Sequence, residues 1–151
     1  MTYDISKYDK GKPADDISII TDYDQRYLGI IVKIFRKFMP ITHWVNVDDM
    51  NDILKSGGHI AAFWHKMKLV GAVCWTWDAE KGEGEILHIC FKWKHQRQGF
   101  GARLLDFVLF RIGEGGAKAG KLHADPGKDA AAAAFFKKYG FNMQRNENDE
   151  A

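Results

Sequence analysis

The chain has 151 residues, of which 46% are hydrophobic and 28% charged, a composition that suits a globular domain with its own core. Its 22 basic and 20 acidic residues give a formal net charge of +2 at pH 7, which argues against a nucleic-acid partner bound through bulk charge. Cys74 and Cys90 lie in apolar segments without metal-ligand spacing. We therefore expect no metal and no disulfide framework, and a reducing, cytoplasmic compartment.

Residues 1–16 are polar, include Gly11 and Pro13, and lack the apolar stretch of a signal peptide. They predict a flexible leader, followed by one domain over residues 17–151. The apolar runs are too short to cross a bilayer, so we expect a soluble protein without a membrane partner.

Hydrophobic periodicity predicts strands and helices in alternation along the rest of the chain. The first half contains a strand at 17–20, helices at 24–39 and 47–54, and a hairpin of strands at 59–64 and 68–77. The second half contains a strand at 85–91, a helix at 101–112, a short strand at 122–124 and a helix at 129–140. This order predicts a mixed α/β fold.

The segment 85–105 joins an apolar strand to a helix through a basic turn that contains Gly99 and Gly101. The first amide groups of a helix lack intrahelical partners and lie at the positive end of its dipole, so they stabilise an anion. Glycine lets a phosphate approach the backbone closely. The turn therefore predicts a phosphate site, although it lacks both the Walker lysine and the third glycine of dinucleotide-binding motifs.

Two ordered motifs carry a resemblance to a known family. The hexad Gln96, Arg97, Gln98, Gly99, Phe100, Gly101 matches the Q/R-x-x-G-x-G/A motif of the GNAT acyltransferases, which transfer an acyl group from coenzyme A to an amine. Residues 135–141, FFKKYGF, resemble the second motif of this superfamily. A glutamate at the start of the same strand makes the site most similar to the histone acetyltransferase branch.

The resemblance implies the GNAT fold, with a mixed central sheet, two splayed parallel strands and helices on both faces. The C-terminal strand region is expected to be shortened, because only the largely polar residues 142–151 follow Phe141. One wall of the acceptor site would then be missing or supplied by a second subunit of a homodimer.

The resemblance also implies acetyl-CoA as cosubstrate and places residues around it. Pantetheine would pair with the backbone of Ile89, Cys90 and Phe91, and the pyrophosphate would lie at the hexad and Ala102. Asp129 and Phe136 would line the cofactor site, although an N-cap role explains Asp129 equally well.

Transfer to an amine requires a group that removes a proton and a group that stabilises an oxyanion. The resemblance places the general base at Glu85, with Glu83 as the reserve candidate. The alternative is that Glu85 is an exposed charge at a strand end. A backbone amide of the central strand would polarise the thioester carbonyl.

Phe136 stands where many GNAT enzymes carry a tyrosine that returns a proton to the thiolate, so this acid is absent, relocated or unnecessary. Tyr139 is close in sequence, but packing at the helix end explains it better. Isolated histidines and alternating aromatics on strands usually belong to a core, which is how we interpret four further residues: His88, His123, Trp75 and Trp77.

Two functions follow. The first is an acetyl-CoA-dependent N-acetyltransferase acting on a primary amine of a small molecule, a lysine side chain or a protein N-terminus. The second, suggested by Phe136 and the short C-terminus, is a weakly active or inactive acyl-CoA sensor or interaction module.

Overall fold

The computed structural model describes residues 1–11, 17–20, 25–38, 46–78, 80–91, 100–122 and 130–143. The strands are β1 (Thr2–Asp4), β2 (Ile17–Ile20), β3 (His59–His65), β4 (Lys68–Asp78), β5 (Glu83–Phe91) and β6 (Ala119–Leu122). The helices are α1 (Gln25–Phe38), α2 (Val47–Lys55), α3 (Phe100–Glu114) and α4 (Ala130–Tyr139), and a 3-10 turn at Ile5–Lys7 follows β1.

The strands form one six-stranded sheet in the order β1-β6-β5-β4-β3-β2. Neighbouring strands from β2 to β5 are antiparallel, and β1 is antiparallel to β6. The pair β5 and β6 is parallel. The predicted mixed α/β sheet is therefore confirmed.

Side chains on β3 point alternately to two hydrophobic clusters, one on each face of the sheet. Ala61 and Phe63 belong to the first cluster, which includes Leu104 and Leu105 of α3 and Phe136 of α4. The intervening residues Ile60 and Ala62 belong to the second cluster, with Leu28 of α1 and Met50 of α2. Helices thus cover both faces, as predicted.

Local sequence accounts for the bounds of several elements. The Asn46 side chain accepts from the Asp49 amide while Asp49 accepts from the Asn46 amide, a capping box that begins α2. Lys66 and Met67 both have positive φ, at 49° and 65°, and form the two-residue turn between β3 and β4. None of the helices in the described ranges is long and apolar enough to span a membrane.

The flexible leader predicted for residues 1–16 is wrong over its first part. Thr2–Asp4 form β1, whose residues pair with Lys121, Gly120 and Ala119 of β6. Tyr3 is buried and its ring lies 5.4 Å from that of Phe141. The prediction failed because a three-residue edge strand in polar sequence is stabilised by pairing with a distant strand rather than by local periodicity. Residues 12–16 lie outside the described ranges.

The strand predicted at 122–124 begins three positions earlier, at Ala119. Its glycine-rich start suggested a connection, but pairing with β1 on one side and β5 on the other makes it a strand. His123 and Ala124 lie outside the described residues.

The described C-terminal residues end at Met143, and the predicted shortening of the strand region falls on residues outside the described ranges. Asn142 forms a single antiparallel bridge with Thr2, through amide-to-carbonyl hydrogen bonds of 2.8 and 2.9 Å. The outer edge of β6 is paired with β1, which comes from the opposite end of the chain.

Candidate functional site

The central strand β5 contains a β-bulge at Leu87. Cys74 of β4 pairs with His88, whereas its neighbour Trp75 pairs with Ile86, so Leu87 is the extra residue. In a regular strand Ile86 and Ile89 would point to opposite faces, but both pack in the first cluster, while Leu87 packs in the second. A bulge leaves one residue outside the ladder and bends the strand, which is common beside active sites.

Among the described residues, the last pair of the two parallel strands lies next to the bulge. The last pair between β5 and β6 is Ile86 with Leu122, and the described part of β6 ends there while β5 continues to Phe91. The splay of the two strands stays a prediction, because residues 123–129 lie outside the described ranges. Ile89, Cys90 and Phe91 retain their partners Val73, Ala72 and Gly71 on β4. Their backbone edge on the other side therefore lies beyond the last described partner on β6.

Glu85 lies one residue before this point. Its neighbour Gly84 approaches α3 so closely that an added Cβ would lie 2.5 Å from Ile112 Cγ2, so Glu85 points to the opposite face of the sheet. On that face its strand partners are Thr76 on β4 and Lys121 on β6. The Glu85 side chain is half-buried, which argues against the alternative of a fully exposed strand-end charge.

Glu83, the reserve candidate for the base, lies two residues earlier on the same face as Glu85. Its Oε2 is 2.9 Å from Nζ of Lys121, and both side chains are roughly 30% exposed, at 27% and 30%. The Glu83 carboxylate is thus a partner of Lys121, and Glu83 stays the reserve candidate for the base.

Helix α3 begins at Phe100, where the glycine turn was predicted to open a helix. Gly101 is buried and Ala102 is half-buried in its first turn. Gln96, Arg97, Gln98 and Gly99 lie outside the described residues, as does Asp129, which precedes the first residue of α4. For these five residues, the predicted contacts with a cofactor stay predictions.

Phe136 is 8% exposed and packs in the first cluster. Its ring centroid lies 5.5 Å from that of Phe135 and 5.9 Å from that of Phe141. Phe136, where the sequence resemblance implies a proton-donating tyrosine, is thus an aromatic packing residue.

Tyr139 donates a hydrogen bond to the carboxylate of Asp106 on α3. Burial, together with this bond, raises the pKa of the Tyr139 phenol above its usual range. A phenol with a raised pKa is a poor proton donor to a thiolate. This supports the interpretation of Tyr139 as a packing residue at the end of α4.

Trp75 is buried and packs edge-on against Phe107 of α3, with ring centroids 6.0 Å apart, as a core residue would. Trp77 is 36% exposed at the end of β4. His88 is half-buried beside Cys74, whose thiol pKa is raised by burial. His123 lies outside the described residues.

Sequence reasoning missed two features of the site, the bulge at Leu87 and the ion pair of Lys121. A bulge shifts the pairing by a single residue, and the largely apolar segment 86–91 contains no glycine or proline that would mark it. Lys121 approaches Glu83 only because β5 and β6 pair in parallel. Among the described residues, no group of three or more His, Cys, Asp or Glu side chains could hold a metal ion.

Comparisons with known proteins agree with this geometry. The model of the acetyltransferase (GNAT) family matches residues 20–141. No match was found among the curated proteins.

Several solved acetyltransferases have a similar structure. Tetrahymena GCN5 has a TM-score of 0.70 at 17% identity, over 89% of this chain and 85% of that one. A GNAT acetyltransferase of Staphylococcus aureus Mu50 has a TM-score of 0.70 at 17% identity, over 87% and 88%. The aminoglycoside acetyltransferase meta-AAC0020 from an uncultured soil sample, solved with sisomicin, has 0.68 at 18%, over 86% and 90%.

At these identities the similarities establish the fold and do not favour the histone acetyltransferase branch over the others. The family match covers the bulged strand, the start of α3 and the second motif at 135–141 together. The chain belongs to the GNAT acetyltransferase family.

Proposed function

We propose that this protein is an acetyl-CoA-dependent N-acetyltransferase that transfers the acetyl group directly to a primary amine. The observation that carries the proposal is the coincidence of three features within β5: Glu85, the bulge at Leu87 and, next to the bulge, the last described pair with β6. They place a carboxylate, an irregular backbone and a strand edge that lies beyond the described part of β6 next to one another. The acceptor is an amine of a small molecule, a lysine side chain or a protein N-terminus.

The edge of β5 beyond its last described partner on β6 fits an extended ligand. Pantetheine carries amide groups, which can pair with backbone groups of Ile89, Cys90 and Phe91 as another strand would. Helix α3, the next described element of the chain, begins at Phe100 with a buried glycine in its first turn. The amide groups of a helix start would hold the pyrophosphate.

Glu85 would act as the general base. An aliphatic amine is largely protonated at neutral pH, so the half-buried carboxylate must take up its proton before nitrogen attacks the thioester carbon. A backbone amide freed by the bulge at Leu87 would stabilise the negative charge on the carbonyl oxygen. The carbon–sulfur bond then breaks, and coenzyme A leaves as a thiolate.

No tyrosine is present at position 136 to protonate this thiolate, and Tyr139 is bound to Asp106. Thiolates are stable leaving groups, so a missing acid is expected to lower the rate without abolishing transfer. Phe136 nevertheless favours a second candidate function, an acyl-CoA sensor or interaction module that binds the cofactor with little turnover.

A transfer assay with radiolabelled acetyl-CoA and an amine panel tests the proposal, together with the variant Glu85→Gln. We expect the variant to retain affinity for coenzyme A and to lose about 10²- to 10⁴-fold in rate. Higher pH should partly rescue the variant, since more of the amine is then unprotonated. The matched control is Glu80→Gln, a substitution at an exposed carboxylate in the turn before β5, which should keep the wild-type rate.

The outcomes separate the candidates. Tight binding of coenzyme A in calorimetry, without transfer to any amine, supports the sensor. Absence of binding contradicts both functions. A wild-type rate in Glu85→Gln removes Glu85 from the role of base.

The phosphate site has its own test in Gly99→Val. A branched side chain at the entrance to α3 should block the pyrophosphate and abolish binding of coenzyme A while circular dichroism stays native. Gly115→Val, just after the end of the same helix, is the control, because its added Cβ would make only ordinary contacts at 3.4 Å or more. Unchanged affinity in Gly99→Val would place the phosphate elsewhere.

A further inference from the structure

Strand β1 extends the face of the sheet on which Glu85 lies. In the parallel register Glu85 pairs with Lys121, and Lys121 pairs in turn with Thr2 of β1. Paired residues project from the same face, so the three side chains form one row across β5, β6 and β1. Asp4 lies on this face as well, because it is two residues from Thr2 on the same strand.

The residues between them support this assignment of faces. Tyr3 pairs with Gly120, and an added Cβ at Gly120 would lie 2.9 Å from Leu109 Cδ2 of α3. Tyr3 itself is buried in the first cluster, which includes residues of α3. Thr2 and Asp4, on either side of Tyr3, therefore point to the opposite face of the sheet.

In the described part of the chain, the helices on the face of Glu85 pack mainly against the other half of the sheet. Helix α1 packs against β4 and β5 and α2 against β3, whereas α3 packs against β6 from the opposite face. Lys121 and Thr2 are half-buried, and Asp4 is exposed. A molecule that reaches Glu85 along this face can therefore extend over β6 and β1.

Asp4 places a fixed negative charge on the outer part of this surface. Its Oδ1 accepts hydrogen bonds from the Ser6 hydroxyl at 2.7 Å and from the Ser6 amide at 3.0 Å. The hydroxyl bond, followed by the amide bond, lowers the pKa of the Asp4 carboxyl below its ordinary value, and nearby Lys7 adds a smaller lowering. The carboxylate is therefore charged at neutral pH. Its two oxygens can accept further bonds from a cation.

We propose that β1 forms the wall of the acceptor site beside Glu85, and that Asp4 binds a second cationic group of the acceptor. This inference rests on the proposed function, in which the reacting amine lies at Glu85. Two strand spacings and a shift of two residues separate Asp4 from Glu85, which corresponds to roughly 12 Å between their Cα atoms. The acceptor is a dication, whose second positive charge lies about this far from the amine that is acetylated.

Acetyl transfer to two sets of dications tests the inference and distinguishes a small molecule from a peptide. The first set is linear diamines of increasing length, each compared with the monoamine of the same length. The second set is peptides with one acceptor lysine and one arginine at increasing separation. We expect kcat/KM to be highest, within one of the sets, when the two charges lie roughly 12 Å apart. Rates that do not depend on the second charge in either set overturn the inference.

The variant Asp4→Asn tests which residue binds the second charge. Asparagine can keep the bonds from Ser6, so the variant should fold, but it lacks the negative charge. The preference for the best dication over its singly charged counterpart should fall about three- to fivefold, through KM for the dication rather than kcat. The matched control is Asp9→Asn, at an exposed carboxylate of the same segment that lies near Tyr3, which should keep the preference. An unchanged preference in Asp4→Asn contradicts the role of Asp4.

A crystal structure with coenzyme A and the best dication supplies a measurement that does not depend on rate. We expect the second nitrogen within about 4 Å of an Asp4 carboxylate oxygen. A second nitrogen that is bound elsewhere overturns the inference. Failure of the proposed function would look different, because no amine would then be acetylated at all. Equal transfer to dications and monoamines overturns only the role of β1.

Discussion

The hydroxyl of Tyr139 donates a hydrogen bond to the carboxylate of Asp106, which joins the last turn of α4 to the middle of α3. Lys10 completes the group, with Nζ 3.1 Å from the Asp106 Oδ1 and 4.2 Å from the centre of the Tyr139 ring. Through Lys10 the N-terminal segment contacts both helices, on the face of the sheet opposite to Glu85.

We predict that Tyr139→Phe lowers stability by roughly 1–2 kcal/mol, because the carboxylate of Asp106 loses its phenol donor. Urea denaturation measures the change. The rate of acetyl transfer should stay within about twofold of wild type, since Tyr139 is not expected to protonate the thiolate. Tyr8→Phe is the control, because its hydroxyl makes an exposed bond of 2.7 Å to the Gly11 carbonyl and its loss should have little effect. A large fall in rate with native stability would assign Tyr139 to the chemistry.

The close approach of β5 to α3 predicts a marked effect of Gly84→Ala. The added Cβ would lie 2.5–2.7 Å from three atoms of the Ile112 side chain, so strand and helix must separate. Overpacking of this kind typically destabilises by roughly 1–3 kcal/mol. Gly29→Ala on α1 meets no atom within 4 Å and should instead stabilise by about 0.5–1 kcal/mol through helix propensity. Thermal denaturation of the two variants should therefore show shifts of opposite sign.

The turn between β3 and β4 predicts a stabilising substitution. Met67 has φ 65° and is 96% exposed, so it adopts a left-handed conformation without contributing to the core. Met67→Gly should raise the free energy of unfolding by about 1 kcal/mol, since glycine adopts this conformation without steric strain. Met143→Gly, at a half-exposed methionine without positive φ, should give no such gain in urea denaturation. Equal effects of both substitutions would contradict this explanation.

We predict that protonation of His59 accounts for part of the stability that the protein loses in acid. Its imidazole stacks on Trp75 with ring centroids 5.2 Å apart. Burial and, to a smaller extent, the nearby Arg111 charge lower the pKa of His59 below its ordinary value of 6.5. The unfolded chain then binds this proton at higher pH than the folded one, so stability falls as pH decreases through about 6.5 and below. In His59→Gln the melting temperature should fall less between pH 7 and pH 5 than in wild type. An identical slope in both proteins would show that His59 does not contribute.

The order of most helices and strands, and the start of helix α3, were predictable because local sequence encodes them. Helices α1 and α2 follow apolar periodicity, and α3 begins at Phe100, within the motif Gln96–Gly101 that indicated a phosphate site. The tight hairpin was also recognisable, because alternating apolar residues flank a short polar turn.

Only the tertiary structure decided how distant segments pair. Strand β1 exists because Thr2–Asp4 find backbone partners on β6, more than a hundred residues away, and β6 itself begins at Ala119 because it pairs on both sides. The bulge at Leu87 and the approach of Lys121 to Glu83 likewise arise from strand register. The sequence by itself determined the family motifs and the helical and strand periods, which depend on neighbours along the chain. Register depends on hydrogen bonds between strands, so the arrangement around Glu85 was decided only when the sheet assembled.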